Sequence, residues 1–318
     1  MSESTERRSP LLDLPGAVAA DAPDAAVAAH YGSIVAEQRT LLAGGTFVDL
    51  SHRDVVTVAG PDRLTWLHAL TTQYLLDLPP GRPTDVLLLS PQGRIEHAFT
   101  GVDDGATFTV HTEPGAGAPL VEFLDRMRFM SRVEVTLATD QWAVIGLPGL
   151  AWEVRPRADL ASLPAVLGDP VGSWAWEALR IEAGRPRIGL DTDERAIPNE
   201  LGLLGSAVHL DKGCYRGQET VARVHTLGRP PRRLVRLHLD GSVDHLPPVG
   251  TDLLDPAGTR VGAIGTSARH HELGPVALGV VKRNVDPTLV LTADGVPASQ
   301  EVLVDPEIGL HVRPRLGG

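Results

Sequence analysis

The chain has 318 residues, 42% of them hydrophobic and 22% charged, and carries a formal net charge of −11. That length exceeds what one hydrophobic core usually serves, so two or three domains are expected, and the acidic balance argues against broad electrostatic binding to nucleic acid or anionic membrane. The single cysteine, Cys214, excludes an intramolecular disulfide and an iron–sulfur cluster held by this chain alone, and it fits a reducing compartment. The twelve histidines are scattered, with no metal-ligand spacing. The start is polar and mixed in charge, and Asp13, Pro15 and Gly16 interrupt the apolar stretch 11–20. No signal peptide or membrane span is expected from such a pattern, and a soluble cytoplasmic protein is.

In chain order, residues 1–24 read as a loose arm of Ser, Pro, Ala and charge, and 25–42 as an alanine-rich helix ended by Gly44 and Gly45. Two strands follow at 46–50 and 54–58, then a helix opened by Pro61 that carries Leu64, Leu67 and Leu70 in one stripe. Residues 85–89 form an apolar strand; its hairpin partner 94–100 returns after the turn Ser90-Pro91-Gln92-Gly93, and 107–111 makes a further strand. An amphipathic helix over 119–130, strands at 132–137 and 142–147, and a helix over 173–183 come next. Helices mixed with hairpins in this way indicate an α+β fold. Residues 184–211 lack periodicity, and a connection that long is usually functional. Past a linker at 228–231, short apolar strands at 233–239, 261–266, 276–281, 289–292 and 301–304 alternate with Gly-containing turns, the pattern of a small all-β barrel or sandwich.

The stretch with the most chemistry is 211–219, Asp-Lys-Gly-Cys-Tyr-Arg-Gly-Gln-Glu. It holds the only cysteine and one of two lysines; 29 basic residues less those two leave 27 arginines. Lys212 and Arg216 would favour the thiolate of Cys214 if their charges point at the sulfur, and Gly213 and Gly217 would let the backbone turn to expose it. An inert buried cysteine is the equally open alternative. Glu182 closes an apolar helix, where the helix dipole disfavours a carboxylate, so it either pairs with Arg180 or Arg185 or reads the N–H edge of a heterocycle. The acidic run Asp191-Thr192-Asp193-Glu194-Arg195 reads as a solvated turn. Arg223, His225, Arg229, Arg232, Arg233 and Arg236 form a cationic segment that either receives a polyanion or pairs with the chain's own acids.

Residues 212–219, Lys-Gly-Cys-Tyr-Arg-Gly-Gln-Glu, resemble the K-G-C-Y-x-G-Q-E signature of the YgfZ-type folate-binding proteins, within the superfamily of the glycine-cleavage T protein, an aminomethyltransferase. The likeness extends to Asp49-Leu50-Ser51-His52-Arg53 with Gly60-Pro61-Asp62-Arg63-Leu64, to Ser90-Pro91-Gln92-Gly93-Arg94-Ile95, and to Leu179-Arg180-Ile181-Glu182-Ala183-Gly184. It covers roughly residues 45–290.

The resemblance implies a three-domain, ring-like T-protein fold in the α+β class. An N-terminal arm and helix over 1–44 would precede two α+β subdomains over 45–227, with the chain free to interleave between them, and a C-terminal β-barrel over 228–318. It further implies that the ring holds tetrahydrofolate or a one-carbon derivative, with Glu182 at the pterin and Arg94, Tyr215, Gln218 and Arg223 as further cofactor-binding candidates. Cys214 would be the functional thiol with Lys212 beside it, and Gly213, Gly217 and Glu219 would complete the motif. The implied role is that of an accessory factor in assembly or repair of iron–sulfur clusters of client enzymes, tRNA-modifying ones among them. Partners are then folate and iron–sulfur client or assembly proteins, with tRNA a further candidate and no membrane, and no metal is held by this chain alone. The T protein's Asn-containing segment with its nearby catalytic aspartate is replaced here by 111–117, His-Thr-Glu-Pro-Gly-Ala-Gly, which has neither residue. Aminomethyl transfer by that route is not implied, and a folate-dependent one-carbon transferase or demethylase of other mechanism, with Glu113, Asp191 or Asp193 as its acid or base, is the alternative.

Overall fold

The computed structural model describes residues 7–309. In chain order its elements are β1 Val18–Ala19, β2 Ala28–His30, α1 Ile34–Ala43, β3 Phe47–Asp49, β4 Asp54–Ala59, α2 Arg63–Leu70, β5 Thr84–Leu89, β6 Ile95–Asp103, β7 Thr107–Thr112, α3 Gly117–Arg126, β8 Glu134–Leu137, β9 Trp142–Leu147 and β10 Ala151–Pro156. They continue with α4 Pro164–Leu167, β11 Pro170–Val171, α5 Ser173–Glu182, α6 Gln218–Leu227, β12 Arg232–Leu239, β13 Asp252–Leu254, β14 Arg260–His270, β15 Gly274–Lys282, β16 Val290–Ala293 and β17 Val296–Val302.

Two sheets and a barrel carry the architecture. One sheet has the order β5-β6-β7-β4-β8, antiparallel throughout, and the second the order β10-β9-β3-β11. The chain passes from the second sheet into the first after β3 and returns at β9, so the two are interleaved in sequence. The first sheet buries Val56, Val58, Val86, Leu88, Phe99 and Phe108 against Leu67, Leu120 and Leu124 of α2 and α3. The third unit is a closed barrel, β12-β15-β14-β13-β16-β17, which leaves no strand edge unpaired. Its core is Val235, Leu237, Leu253, Ile264, Leu291 and Val296.

Helix α5 joins the three. Ser173, Ala175, Trp176, Ala178, Leu179, Arg180 and Ile181 are all buried, so it presents no wholly solvated face and sits within protein on most sides. Ala178 and Ile181 share a cluster with Leu87 and Leu89 of the first sheet, with Leu201 and Val208 of the long connection, and with Leu234, Val276 and Leu278 of the barrel. Across the helix, Ala175, Trp176 and Leu179 meet Val48 and Val144 of the second sheet.

The expectations for the arm, the first helix and the barrel strands need correction. The arm over 1–24 is not loose where it is described: Leu11 is 1% exposed, Ser9 is buried, and Asp24 is buried against Arg187 (residues 1–6 lie outside the described residues). The helix placed at 25–42 begins only at Ile34, because Ala28–His30 pairs with Val18–Ala19 as a strand and Ser33 caps the helix through a side-chain bond from the Ala36 amide. The barrel has a strand that periodicity could not show, Asp252–Leu254, three residues being too short for a pattern. Residues 310–318 of the expected barrel domain likewise lie outside the described residues.

Candidate functional site

The 211–219 stretch divides its side chains between interior and surface. Lys212 is 5% exposed, and its ammonium donates to the carbonyls of His68 (2.5 Å), Thr71 and Gln73 (3.2 Å). His68 and Thr71 stand in the last turn and at the C-cap of α2, where carbonyls lack intrahelical partners and a cation is favoured. Burial lowers the Lys212 pKa to about 8. Its charge is thus spent on bracing α2, with its Nζ also 5.3 Å from the Tyr215 ring centroid. Tyr215 is half-buried against the junction core, and burial pushes its hydroxyl up to about 12. Cys214 is exposed.

Gly217 opens α6 with a left-handed φ of 83°, and a Cβ there would lie 2.5 Å from the Ser90 carbonyl oxygen and 2.9 Å from the Gly93 Cα. Gly93, φ 77°, has no room for a Cβ either, since it would meet the Thr220 side chain at 2.8 Å. The glycines of two separate motifs therefore exist for one close approach, which seats the Ser90–Gly93 turn against the start of α6. Gln218 is the first residue of α6, with its amide donating to the Tyr215 carbonyl, and Glu219 lies in the first turn. Arg94 and Arg223 are exposed.

Beside this junction is a cavity of about 730 Å³, within the range of small-molecule sites. The first sheet contributes Glu96, Ala98 and His111, with Glu113 just after β7; the second contributes Trp152, with Leu150 just before β10; and α5 with its exit contributes Trp176, Arg180, Arg185 and Arg187. Arg216 of the signature bonds Glu96 on this wall at 2.9 Å, which ties the motif to the cavity. Glu182 is turned elsewhere: α5 lines the cavity through Trp176 and Arg180, while the Glu182 carboxylate stands 3.3 Å from His270 of the barrel and its carbonyl accepts from Arg236.

The cavity floor is an ion network that the sequence did not announce. Arg187, 4% exposed, forks onto Asp24 at 2.7 and 2.8 Å and holds Glu113 at 2.6 Å. Burial alone would raise the Asp24 carboxyl, but hydrogen bonds from Arg187 and His52 hold it far below the usual carboxylate range. Arg180 pairs with Glu177 at 2.5 Å and Asp191 at 2.9 Å, which removes it as a partner for Glu182. Asp191 corrects the solvated-turn reading: it is 4% exposed because Arg180, the Arg187 amide, and the Thr266 amide and hydroxyl of the barrel all bond it. Asp193 lies on the surface side, paired with Arg232 at 2.7 Å. Of the acids weighed as a base, Glu113 alone lines the cavity.

The cationic segment is largely spent within the chain. Arg232 binds Asp193 and Glu200, Arg236 binds Glu301, and Arg229 stands 3.5 Å from Glu307. Arg233 is fully buried. Among the described residues, no group of three or more His, Cys, Asp or Glu could hold a metal ion, and no helix is long and apolar enough to cross a membrane.

No protein-family model matches the chain. It is 27% identical over 293 residues to a protein of Arabidopsis thaliana described as a candidate chloroplastic transferase, covering 76% of this chain and 66% of that protein. It is 38% identical over 115 residues to the tRNA-modifying protein YgfZ of Escherichia coli, covering 35% of each. The chain thus spans just under two thirds of the plant relative and about a third of the bacterial one. Its structure resembles the glycine cleavage system aminomethyltransferase T of Bartonella henselae, with a TM-score of 0.78 over 94% of this chain and 97% of the other at 18% identity, a likeness of fold.

Proposed function

We propose that the chain, which shares the T-protein fold and resembles YgfZ over about a third of its length, binds tetrahydrofolate, or a one-carbon derivative, and serves assembly or repair of iron–sulfur clusters in client enzymes, tRNA-modifying ones among them. The observation that carries the reading is the junction of signature and cavity: Arg216 pairs with Glu96 on the wall, Gly217 packs on the Ser90–Gly93 turn, and Cys214 stays exposed two residues away. A folate held there would supply a one-carbon carrier. Trp152 and Trp176 offer it flat apolar walls, and the exposed Arg185 on the lining offers a guanidinium to the carboxylates of its tail. One thiol cannot hold a cluster, so Cys214 acts with a partner's ligands or with a low-molecular thiol. The cytoplasmic setting belongs to the same proposal. A Cys214→Ala variant should keep its fold and its tetrahydrofolate affinity while client-enzyme activity falls; full client activity in that variant would remove the role given to the thiol.

Glu113 favours a second reading, that of a folate-dependent one-carbon transferase. Its Oε2 is held by Arg187, whereas the Oε1 contact with Arg53 is a loose 3.8 Å, which leaves a carboxylate oxygen on the cavity wall able to take a proton. Incubation with methylene-tetrahydrofolate and candidate amines, read by mass spectrometry, separates the two. Turnover supports the transferase, and its absence with every donor supports the accessory factor.

A further inference from the structure

The two most exposed large apolar side chains among the described residues are neighbours, Phe129 at 84% and Met130 at 97%, in the turn between α3 and β8. Adjacent apolar groups left in water on a folded chain mark an interaction face, since burying them against a partner is favourable. The turn holds both outward. Trp66 Nε1 donates to the Met127 carbonyl at 3.1 Å, which fixes the end of α3, and Phe129 takes a φ of 44°, a left-handed conformation that a bulky aromatic seldom adopts.

From this tip the chain runs into β8, which ends the first sheet: it pairs with β4 and, among the described residues, with no second strand. The apolar tip and an unpaired sheet edge therefore lie side by side, and an edge of this kind is a template for a further strand.

Charge decides what covers the face. Arg126, Arg128 and Arg132 surround the tip, and each stands beside an acid of the same patch, Glu122 at 3.2 Å, Asp125 at 3.8 Å and Asp62 at 2.7 Å. Three cations and three anions leave the patch neutral, so it exerts no net pull on an anionic bilayer or on nucleic acid phosphate, which both need an excess of positive charge. Exposed pairs of this sort contribute little where they stand and exchange partners at small cost. A patch with both signs in equal number is its own complement across a two-fold axis. So is a strand edge, because antiparallel pairing of two identical strands is two-fold symmetric. With the register centred between Val135 and Thr136, Glu134 comes opposite Leu137, and no like charges face each other within β8. We propose that this face joins two copies of the chain, β8 against β8, with Phe129 and Met130 of each copy buried against the other.

Sedimentation velocity of the full chain at physiological salt, over roughly 1 to 200 μM, tests this, with thermal melting as the check on folding. The mass should rise from that of one chain, 33.8 kDa, toward twice that, with its half-point in the micromolar range. Phe129→Ser combined with Met130→Ser alters only exposed side chains, so it should melt with wild type and move the half-point upward by roughly thirtyfold or more. Arg126→Glu with Arg128→Glu should be monomeric, and so should Glu122→Lys with Asp125→Lys. Their equimolar mixture should dimerise, because the charges changed in one copy then complement those changed in the other. A single-chain mass across the range overturns the proposal, as does a dimer that the double serine variant leaves intact, or a charge-variant mixture that stays monomeric. A monomer that sediments with phosphatidylcholine vesicles holding about a third phosphatidylglycerol, and loses them in the double serine variant, gives the face to a membrane and overturns it as well.

Discussion

Lys212→Met asks whether the signature lysine braces the fold or takes part in chemistry. The ammonium holds three backbone carbonyls, those of His68, Thr71 and Gln73, and is 5% exposed. Hydrogen bonds to a charged group contribute about 1.5–3 kcal/mol each, and a buried acceptor left bare costs about 1–3 kcal/mol. Against this, methionine is relieved of desolvating an ammonium, an offset of several kcal/mol. The balance is a loss of roughly 2–4 kcal/mol, since the three bonds converge on one helix end. For a chain of this size that corresponds to a Tm lower by ~3–6 °C, measured by calorimetry or far-UV circular dichroism at neutral pH. Ligand affinity in the folded fraction should stay near that of wild type. A variant that melts with wild type but has lost ligand binding or client activity would refute the bracing argument.

Four further outcomes follow from the same geometry. Gly217→Ala forces a Cβ to 2.5 Å from the Ser90 carbonyl at a left-handed φ, and should lower stability by more than about 2 kcal/mol in a urea melt. Glu182→Gln, whose carboxylate faces His270 and not the cavity, should change tetrahydrofolate affinity by less than about threefold in a calorimetric titration. Asp24 has its folded pKa depressed below the usual 3.8, so it contributes stability that is present above that value and lost as pH falls below it. Asp24→Asn should therefore cost roughly 3 kcal/mol at pH 7, where it breaks the buried pair with Arg187, and flatten the acid limb of the stability curve below about pH 4. With Arg232 and Arg236 committed to Glu200 and Glu301, tRNA retention on filters should be weak and change little with salt; a steep salt dependence would contradict that pairing.

Much of the architecture is legible in the sequence. The helix Ser173–Glu182, the hairpin around Ser90–Gly93 and the barrel after residue 231 all follow from patterning and turn chemistry. What was hidden is of two kinds. Short strands such as Asp252–Leu254 and Ala28–His30 hold too few residues to express a period, and Ala28–His30 is alanine-rich enough to read as helix. The site residues most easily missed meet only in three dimensions: Arg187 draws Asp24 from 163 positions away and Glu113 from 74. The signature itself was visible, but its division of labour was not. Lys212 points inward to α2, Arg216 outward to Glu96, and Cys214 to the surface.

The central claim is that the cavity is a folate site, and titration of the wild-type protein with tetrahydrofolate under anaerobic conditions tests it most directly. The account predicts a saturable isotherm with one ligand per chain. It also predicts a change in tryptophan emission, since Trp152 and Trp176 line the cavity. No heat and no spectral change up to millimolar ligand would contradict it.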